Sequence, residues 1–218
     1  AALFKAADLT VLDGSRGECG WQHDPRSPVP GLLPIERMPV AVRRDWVQNS
    51  NESFWMSNPD IDWPQITPLV GWTDTPQSLR TRAGLYEIGQ RIAGSDDVAP
   101  HAKVGITEVQ AMLFRNRNHA AFVVLDDFLP VCKDATSETV RAGCAVLATW
   151  DRRNNLDSRG AHVFREWWRT ARAIKGVWAR PFDPAHAADT PAGLATDNPE
   201  VRAALLAALD DAVTTVRA

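Results

Sequence analysis

Residues 49–53, with the sequence NSNES, are the part of the chain whose residue types best suit chemistry. They are followed directly by the apolar residues 54–56 (FWM), so the polar group lies between apolar neighbours, as at a sheet edge. An asparagine carboxamide donates hydrogen bonds from its NH2 group without ionising, and an oxyanion hole requires such donors. Runs of Asn, Glu and Ser are also common in turns. The residues alone therefore leave an oxyanion site and a plain turn both open.

The remaining reactive side chains form no recognisable catalytic or metal-binding pattern. The histidines show no HExxH spacing and accompany no GxSxG motif; they are His23, His101, His119, His162 and His186. A surface or capping role is favoured for each of them. Acidic pairs such as Asp126 and Asp127 are adjacent in sequence, which is typical of solvated faces, and no Cys/His group has zinc spacing. We expect no metal and no cofactor.

The composition is that of a folded globular chain. Of its 218 residues, 44% are hydrophobic and 23% are charged, with a formal net charge of -3. No extended basic run offers the electrostatic footprint of a protein that binds a phosphate backbone. No stretch approaches the roughly 20 consecutive apolar residues required to cross a bilayer. We therefore expect neither nucleic acid nor membrane as a partner.

The sequence predicts one α+β segment, residues 1–218, with strands first and helices later. Residues 1–57 are predicted to be rich in strands, because 7–14 alternate before a glycine and 41–57 resemble a strand with a polar centre. Prolines throughout 58–76 predict a loop. Residues 77–218 are predicted to be largely helical.

Four helices carry start, stop or periodicity signals. Thr75 and Pro76 predict the start of a helix that ends at Gly94, and Thr107 with Gln110 predicts a capping box. A third helix is predicted over 135–149, and a fourth begins with Asn198 as cap and Pro199 in the first turn. The side chains predicted to face inward are, in order, Leu79, Ala83, Tyr86 and Ile92; Val109, Met112 and Leu113; Val140, Cys144 and Leu147; and Val201, Leu205, Leu209 and Val213.

The cysteines permit one local disulfide. Cys132 comes just before a predicted helix and Cys144 lies inside it, so the two are close enough in sequence to close a small loop. Two buried thiols that pack as small hydrophobes are the alternative. Cys19 is left over in either case. A disulfide would favour an oxidising compartment, and we expect a periplasmic or secreted protein.

Residues 47–59 resemble a segment of a known protein family. Their sequence, VQNSNESFWMSNP, resembles the segment of penicillin acylase family β-subunits that supplies the oxyanion-hole asparagine. The similarity points to the branch that contains N-acyl-homoserine-lactone acylases and lipopeptide acylases. GLLPIERMP, SLRTRAGLYEI and LDSRGAHVFREWW look like pieces of the same branch in the same order. The resemblance implies part of the four-layer αββα fold of N-terminal nucleophile hydrolases.

The resemblance also assigns roles. In this family the amino-terminal residue of the β-subunit, usually Ser, attacks the amide carbonyl, and its own α-amino group acts as the base. Asn51 matches the oxyanion-hole asparagine, with Asn49 as the alternative. Arg82 matches the arginine that supports the site, with Arg80 as the alternative. Trp55 is expected to border the substrate, although core packing would also explain it.

Some family members bind calcium through an acidic residue shortly after the asparagine. Asp60 or Asp62 could correspond to that residue. A hard cation needs about six oxygen ligands, however, and the sequence shows no other cluster of them. The expectation of no metal therefore stands beside the resemblance.

The chain departs from the family at its first residue, Ala1, which has no nucleophilic atom. The resemblance therefore implies a nucleophile on another segment, excision from a longer precursor, and partners comprising an α-subunit and the β-segment that bears the nucleophile. The implied reaction is hydrolysis of the amide of an N-acyl-homoserine lactone or a related acylated small molecule. A penicillin or cyclic lipopeptide acylase is the near alternative, and a non-catalytic scaffold or binding module is the alternative of another class.

Overall fold

A computed structural model describes residues 14–20 and 23–217, and their regular structure is mostly helical. The helices are α1 (Leu79–Ala93), α2 (Ile106–Phe114), α3 (His119–Phe128), α4 (Glu138–Thr149), α5 (Ala161–Ala171) and α6 (Pro199–Arg217). The strands β1 (Trp178–Arg180) and β2 (Ala192–Leu194) form an antiparallel pair. The fold class is α+β, as predicted. None of the helices in this part of the chain is long and apolar enough to span a membrane.

The core lies between helices α3, α4, α5 and α6, with Trp167 at its centre. The Trp167 ring is fully buried, and its centroid lies 4.3 Å from that of Phe128 and 5.6 Å from that of Phe164. Its indole N–H donates to the backbone oxygen of Leu205 at 3.1 Å, so the polar edge of the ring is also satisfied. Residues 119–217 therefore contain a core of their own.

The two helices predicted last in the chain are confirmed. Helix α6 begins at Pro199, the Asn198 Oδ1 accepts the Glu200 N–H at 2.9 Å, and the predicted stripe of four apolar residues is buried. Helix α4 buries Val140, Cys144 and Leu147 as predicted, although it begins at Glu138 because the Ser137 side chain caps it. Periodicity located these helices correctly because the described chain itself covers their apolar faces.

Helices α4 and α6 approach each other closely at Gly143. A Cβ atom placed on this glycine would lie 2.6 Å from Val213 Cγ2, which is shorter than any ordinary contact. Nearby, Cys132 and Cys144 are joined by a disulfide with a Cα–Cα distance of 5.9 Å. This bond ties the 3₁₀ turn Leu129–Asp134 to helix α4. Cys19 remains a free thiol.

Helix α1 ends at Gly94 as predicted, in the left-handed conformation with φ 65°. Leu79 packs against the core as predicted, but the other end of the predicted inward face is wrong. Tyr86 and Ile92 are exposed, whereas the residues that α1 buries are Thr81, Arg82, Leu85 and Arg91. The helix also begins later than Thr75, because Ser78 accepts the Thr81 N–H as its cap. Apolar periodicity failed here because the surroundings of α1 offer carbonyl and carboxylate partners, which favour buried polar side chains.

Helix α2 corrects two further predictions. It begins at Ile106, where the Glu108 carboxylate accepts the Gly105 N–H at 2.9 Å, so Thr107 and Gln110 do not form the capping box. Val109 and Leu113 are exposed rather than inward, and Met112 is half-buried. An amphipathic pattern identifies an apolar face, but the described residues do not cover this one.

The strands expected before residue 57 do not appear among residues 14–20 and 23–57; residues 1–13 lie outside the described part. Regular structure there consists of the short 3₁₀ turns Gly17–Cys19, Ile35–Arg37 and Phe54–Met56. A strand needs a neighbouring backbone to pair with. In this segment backbone pairing does not extend into a ladder: the Gln48 N–H donates to the Ser57 oxygen at 2.8 Å, and the next bond is made by a side chain, from the Gln48 Nε2 to the Met56 oxygen at 2.7 Å. Residues 58–76 contain no helix or strand.

A group of ion pairs fastens the far end of α1. Arg91 pairs with Asp96 at 2.9 Å, and both side chains are almost completely buried. Arg115 pairs with Glu87 of α1 at 2.6 Å and also with Asp97. Helix α1, which begins beside residues 49–53, is therefore anchored to the rest of the chain through charged groups.

Candidate active site

Asn51 lies at the exposed tip of a tight turn. Its φ is 57°, a left-handed conformation that asparagine tolerates better than most residues with a side chain. The Asn51 N–H donates to the Asn49 Oδ1 at 2.7 Å, so the side chain of Asn49 closes the turn. Of the two asparagines, Asn49 is thus occupied in shaping the backbone, and Asn51 is the one presented at the tip.

Arg80, in the first turn of α1, orients the Asn51 carboxamide. Its Nη1 donates to the Asn51 Oδ1 at 3.2 Å, and its Nη2 donates to the Ser50 carbonyl. A guanidinium can only donate hydrogen bonds, so the atom it contacts must be the amide oxygen. The Asn51 Nδ2 group therefore occupies the other branch of the carboxamide, and within the described chain no acceptor lies within hydrogen-bonding distance of it. It is a donor available to a ligand.

Glu52 joins the same turn to the start of α1. Its two carboxylate oxygens accept the Ser78 N–H at 3.2 and 3.3 Å, and one of them also accepts from the Thr81 hydroxyl. Burial opposes ionisation, but the hydrogen bonds from Ser78 and Thr81 outweigh it and hold the pKa of Glu52 below its ordinary value. A carboxylate at a helix N-terminus is also favoured by the helix dipole. Glu52 is therefore ionised at neutral pH.

Arg82 points to a different part of the molecule. Its Nε donates to the Ala188 carbonyl at 2.9 Å and its Nη1 to the Pro191 carbonyl at 2.8 Å. The side chain is buried, and this burial lowers the pKa of its guanidinium. The direct hydrogen bonds to residues 50 and 51 are made by Arg80, the alternative, rather than by Arg82. Arg82 instead fastens α1 to the loop between β1 and β2.

Trp55 is half-buried in a small apolar cluster with Met56, Leu85 and Ala187. Its backbone oxygen accepts the Trp63 indole N–H at 3.1 Å. Its own indole nitrogen is buried and has no hydrogen-bond partner in the described part of the chain. The structure thus gives Trp55 a packing role between the asparagine turn and α1, and its contact with substrate remains a prediction.

A polar cleft of about 340 Å³ lies beside the turn. It is lined by Gln48, Asn49, Ser50, Glu52, Ser53, Phe54, Ser57 and Val70. The Ser53 hydroxyl is buried without a hydrogen-bond partner among the described residues. A Cβ atom on Gly71 would lie 2.6 Å from this hydroxyl, so the loop 58–76 approaches the turn at a glycine. The loop thereby forms one wall of the space next to residues 49–53.

His119 is the histidine whose environment differs most from the surface or capping role favoured by the sequence. It is half-buried, with its ring centroid 5.6 Å from that of Tyr86. Burial, together with the charges of Arg82 and Arg117, lowers its pKa from 6.5 to about 4. It is therefore neutral at neutral pH. Its ring contact is with Tyr86 of α1, outside residues 49–53.

Asp60 and Asp62 are not part of a metal cluster. Within the residues described, no group of three or more His, Cys, Asp or Glu side chains is arranged to hold a metal ion. Asp60 donates its backbone N–H to the Asn58 Oδ1 at 2.9 Å, which is the geometry of an ordinary turn.

Sequence reasoning did not single out Glu52, Ser78 or Thr81, which connect the turn to α1. A signal was available, because Ser78 stands three residues before Thr81, the spacing at which a serine caps a helix. The long-range contact of Glu52 with this cap, across 26 residues of sequence, has no local signal.

Residues 49–53 thus form a turn beside the first turn of α1, in which Arg80 holds the Asn51 carboxamide oxygen and leaves its NH2 group available. The chain belongs to the penicillin amidase family, whose model matches residues 3–218. The family membership implied by the resemblance at residues 47–59 is thereby confirmed, and the role of Asn51 stays a prediction.

Individual relatives agree with this assignment. The chain is 37% identical over 212 residues to aculeacin-A acylase from Actinoplanes utahensis, covering 93% of this chain and 26% of the relative. It is 35% identical over 212 residues to acyl-homoserine lactone acylase PvdQ from Pseudomonas syringae pv. syringae, and the match covers 94% of this chain and 26% of the relative. It is 36% identical over 194 residues to PvdQ from Pseudomonas putida, and the match covers 88% of this chain and 24% of the relative. The chain thus spans about a quarter of the length of these relatives.

Proposed function

We propose that this chain is part of an acylase that hydrolyses the amide of an N-acyl-homoserine lactone, or of a related acylated small molecule, through an acyl-enzyme. The observation that carries the proposal is the orientation of Asn51, whose amide oxygen is held by Arg80 while its NH2 group stays available. Membership of the penicillin amidase family and the names of the acylase relatives support an acylated substrate.

The proposed reaction has two halves. A nucleophile carried by another segment attacks the amide carbonyl carbon, and the carbonyl oxygen takes up the negative charge. The Asn51 Nδ2 donates a hydrogen bond to that oxyanion. The C–N bond then breaks, the amine leaves with the proton that the nucleophile released to its base, and an acyl-enzyme remains. Water then attacks the acyl-enzyme, and the same donor stabilises the second oxyanion before the acid departs. One such donor contributes about 3 kcal/mol to transition-state stabilisation.

The proposal includes partners and a compartment. An α-subunit and the β-segment that bears the nucleophile would complete a four-layer αββα fold, with this chain as its α+β part. The chain's share of its relatives' length leaves room for both segments. The Cys132–Cys144 disulfide supports an oxidising compartment, and hence a periplasmic or secreted protein that matures from a longer precursor.

The 37% identity to aculeacin-A acylase supports a second candidate of the same class. In that case the substrate would be another acylated molecule, such as a penicillin or a cyclic lipopeptide, and the Asn51 chemistry would be unchanged. Turnover of each substrate class by the same enzyme preparation distinguishes the two candidates. A non-catalytic scaffold would turn over none of them.

Asn51→Ala in the complete enzyme tests the proposal. The variant lacks the oxyanion donor but keeps two contacts that hold the turn, from the Asn51 N–H to Asn49 and from Arg80 to the Ser50 carbonyl. We therefore expect kcat to fall by about a hundredfold or more with little change in KM. Asn154→Ala is the matched control, since Asn154 is exposed and lies outside this site. Intact mass spectrometry of the same preparation identifies any chain with an amino-terminal serine. A kcat unaffected by Asn51→Ala would reject the proposed role.

A further inference from the structure

The first turn of α1 holds residues 50–52 from two sides. Arg80 donates to the Ser50 carbonyl and to the Asn51 side chain. Ser78 and Thr81, on either side of Arg80 along the same turn, donate to the Glu52 carboxylate. We propose that Glu52 is a positioning residue, which fixes the direction of the Asn51 carboxamide during amide cleavage. This inference rests on the proposed function of Asn51.

The backbone at Asn51 needs such an anchor. Its φ of 57° lies in a sparsely populated region, and a residue other than glycine keeps this conformation only when its surroundings impose it. On the N-terminal side, the Asn49 side chain accepts the Asn51 N–H at 2.7 Å. On the C-terminal side, Glu52 is the residue bonded to Asn51, and its carboxylate is fastened to the helix. Releasing Glu52 would free one side of the strained residue.

The anchor depends on a carboxylate rather than on any polar group. Both Glu52 oxygens accept from the Ser78 N–H, and one accepts from the Thr81 hydroxyl as well. A glutamine has one oxygen with which to accept, and its NH2 group cannot pair with an N–H donor. It also lacks the negative charge that a helix N-terminus favours. Arg80 is the charged side chain that acts on Glu52, and its positive charge favours the same ionised state.

Glu52 acts through Asn51 and has no proposed contact with substrate. Its loss should therefore lower kcat by misdirecting the donor, while leaving substrate binding largely intact. A purely structural role would instead lower the melting temperature and the amount of folded enzyme, without a specific dependence on Asn51. The two roles give different readouts.

The first test compares Glu52→Gln with Glu138→Gln in the complete enzyme. Glu138 is a matched control, because it is an exposed glutamate in the first turn of another helix, α4. We expect Glu52→Gln to lower kcat about ten- to a hundredfold with KM nearly unchanged, since small misplacements of catalytic groups have effects of this size. Glu138→Gln should retain the parental kcat. A parental kcat in Glu52→Gln would overturn the inference.

The decisive test is a double-mutant cycle with Asn51→Ala. If Glu52 acts through Asn51, adding Glu52→Gln to Asn51→Ala should cause no further loss of kcat. Losses that multiply would show that Glu52 acts independently and would overturn the inference. The cycle also separates the two proposals, because a failure of the oxyanion role appears as unchanged kcat in Asn51→Ala alone.

Thr81→Val provides a milder variant should Glu52→Gln fold poorly. It removes the hydroxyl that donates to Glu52 and keeps the volume of the buried side chain. We expect a smaller fall in kcat, about two- to tenfold, that disappears in the Asn51→Ala background. A Thr81→Val enzyme with parental kcat would count against the anchor.

Discussion

Residues 119–217 and residues 23–76 are held together by different kinds of contact. The first region buries a continuous apolar core around Trp167 and carries the disulfide. The second contains no strand or α-helix, and side chains such as Gln48 and Asn58 fasten its backbone. The candidate active site lies in the second region. The molecule thus places its proposed chemistry on a loop and positions that loop with the helix α1 that follows it.

The comparison shows where local sequence rules apply. Helices α4 and α6 pack against each other, so their apolar periodicity corresponds to burial. In residues 23–76, by contrast, Val42 is 95% exposed and Leu69 is 67% exposed. Apolar residues there indicate surfaces that the described residues leave uncovered, rather than strands of an internal sheet.

Removing the central ring of the core should have the largest effect on stability. We expect Trp167→Ala to lower the free energy of unfolding by about 3–5 kcal/mol, because the substitution opens a cavity and removes the hydrogen bond that the indole N–H donates to the Leu205 oxygen. Denaturant unfolding of the complete enzyme measures this change. The control is Leu156→Ala, at a fully exposed position, with a change of under about 0.5 kcal/mol. Equal effects of the two variants would contradict a self-contained core.

Opening the disulfide should have a smaller effect on the same region. The bond closes a loop with a sequence separation of 12, for which the chain-entropy model gives about 3 kcal/mol. We expect the double variant Cys132→Ala and Cys144→Ala to lose about 2–3 kcal/mol of unfolding free energy. Cys19→Ala, which removes a free thiol in the other region, should leave stability unchanged. If Cys19→Ala lost a similar amount of unfolding free energy, the stabilising effect could not be assigned to the disulfide in residues 119–217.

Protonation of His119 should have the smallest effect. Its pKa is about 4 in the folded chain, against an ordinary value of 6.5, so between these values the unfolded chain binds the proton more tightly. Stability is therefore fully present above about pH 6.5 and falls as the pH drops towards 4. Because the ring is only half-buried, we expect the loss to stay under about 2 kcal/mol.

Unfolding curves of His119→Gln at several pH values check this expectation. The difference in unfolding free energy between the parental enzyme and His119→Gln should shrink as the pH falls from 7 to 4. His162→Gln, on the exposed face of α5, is the control and should follow the parental pH dependence. A His119→Gln profile parallel to the parental one would show that burial does not suppress protonation at this position.

The sequence predicted the parts of the fold that depend on local rules. The cap at Asn198, the stop at Gly94 and the stripe on α6 each require only neighbours within about one or two helical turns. The buried face of α1 could not be predicted in this way. Its side chains Arg82 and Arg91 are buried because carbonyl and carboxylate groups distant from the helix receive their hydrogen bonds.

In the candidate site, too, one residue could be predicted from the sequence and another could not. Asn51 was identified from its residue type and from the family resemblance, and the structure places it at an exposed tip held by Arg80. The choice between Arg80 and Arg82 depends on which face of α1 meets the turn. Two residues along a helix are about 200° apart, so the two arginines point to nearly opposite sides. No pattern in the sequence states which side the turn occupies.

The close approach of Gly71 to Ser53 implies a relation between these two positions among relatives of this chain. A side chain at position 71 and a hydroxyl at position 53 compete for the same space, since the distance would be 2.6 Å. We therefore expect the two positions to covary: a relative with alanine or serine in place of Gly71 should carry alanine or glycine in place of Ser53. Sequences that keep the serine opposite a larger residue must follow a different path for the loop 58–76.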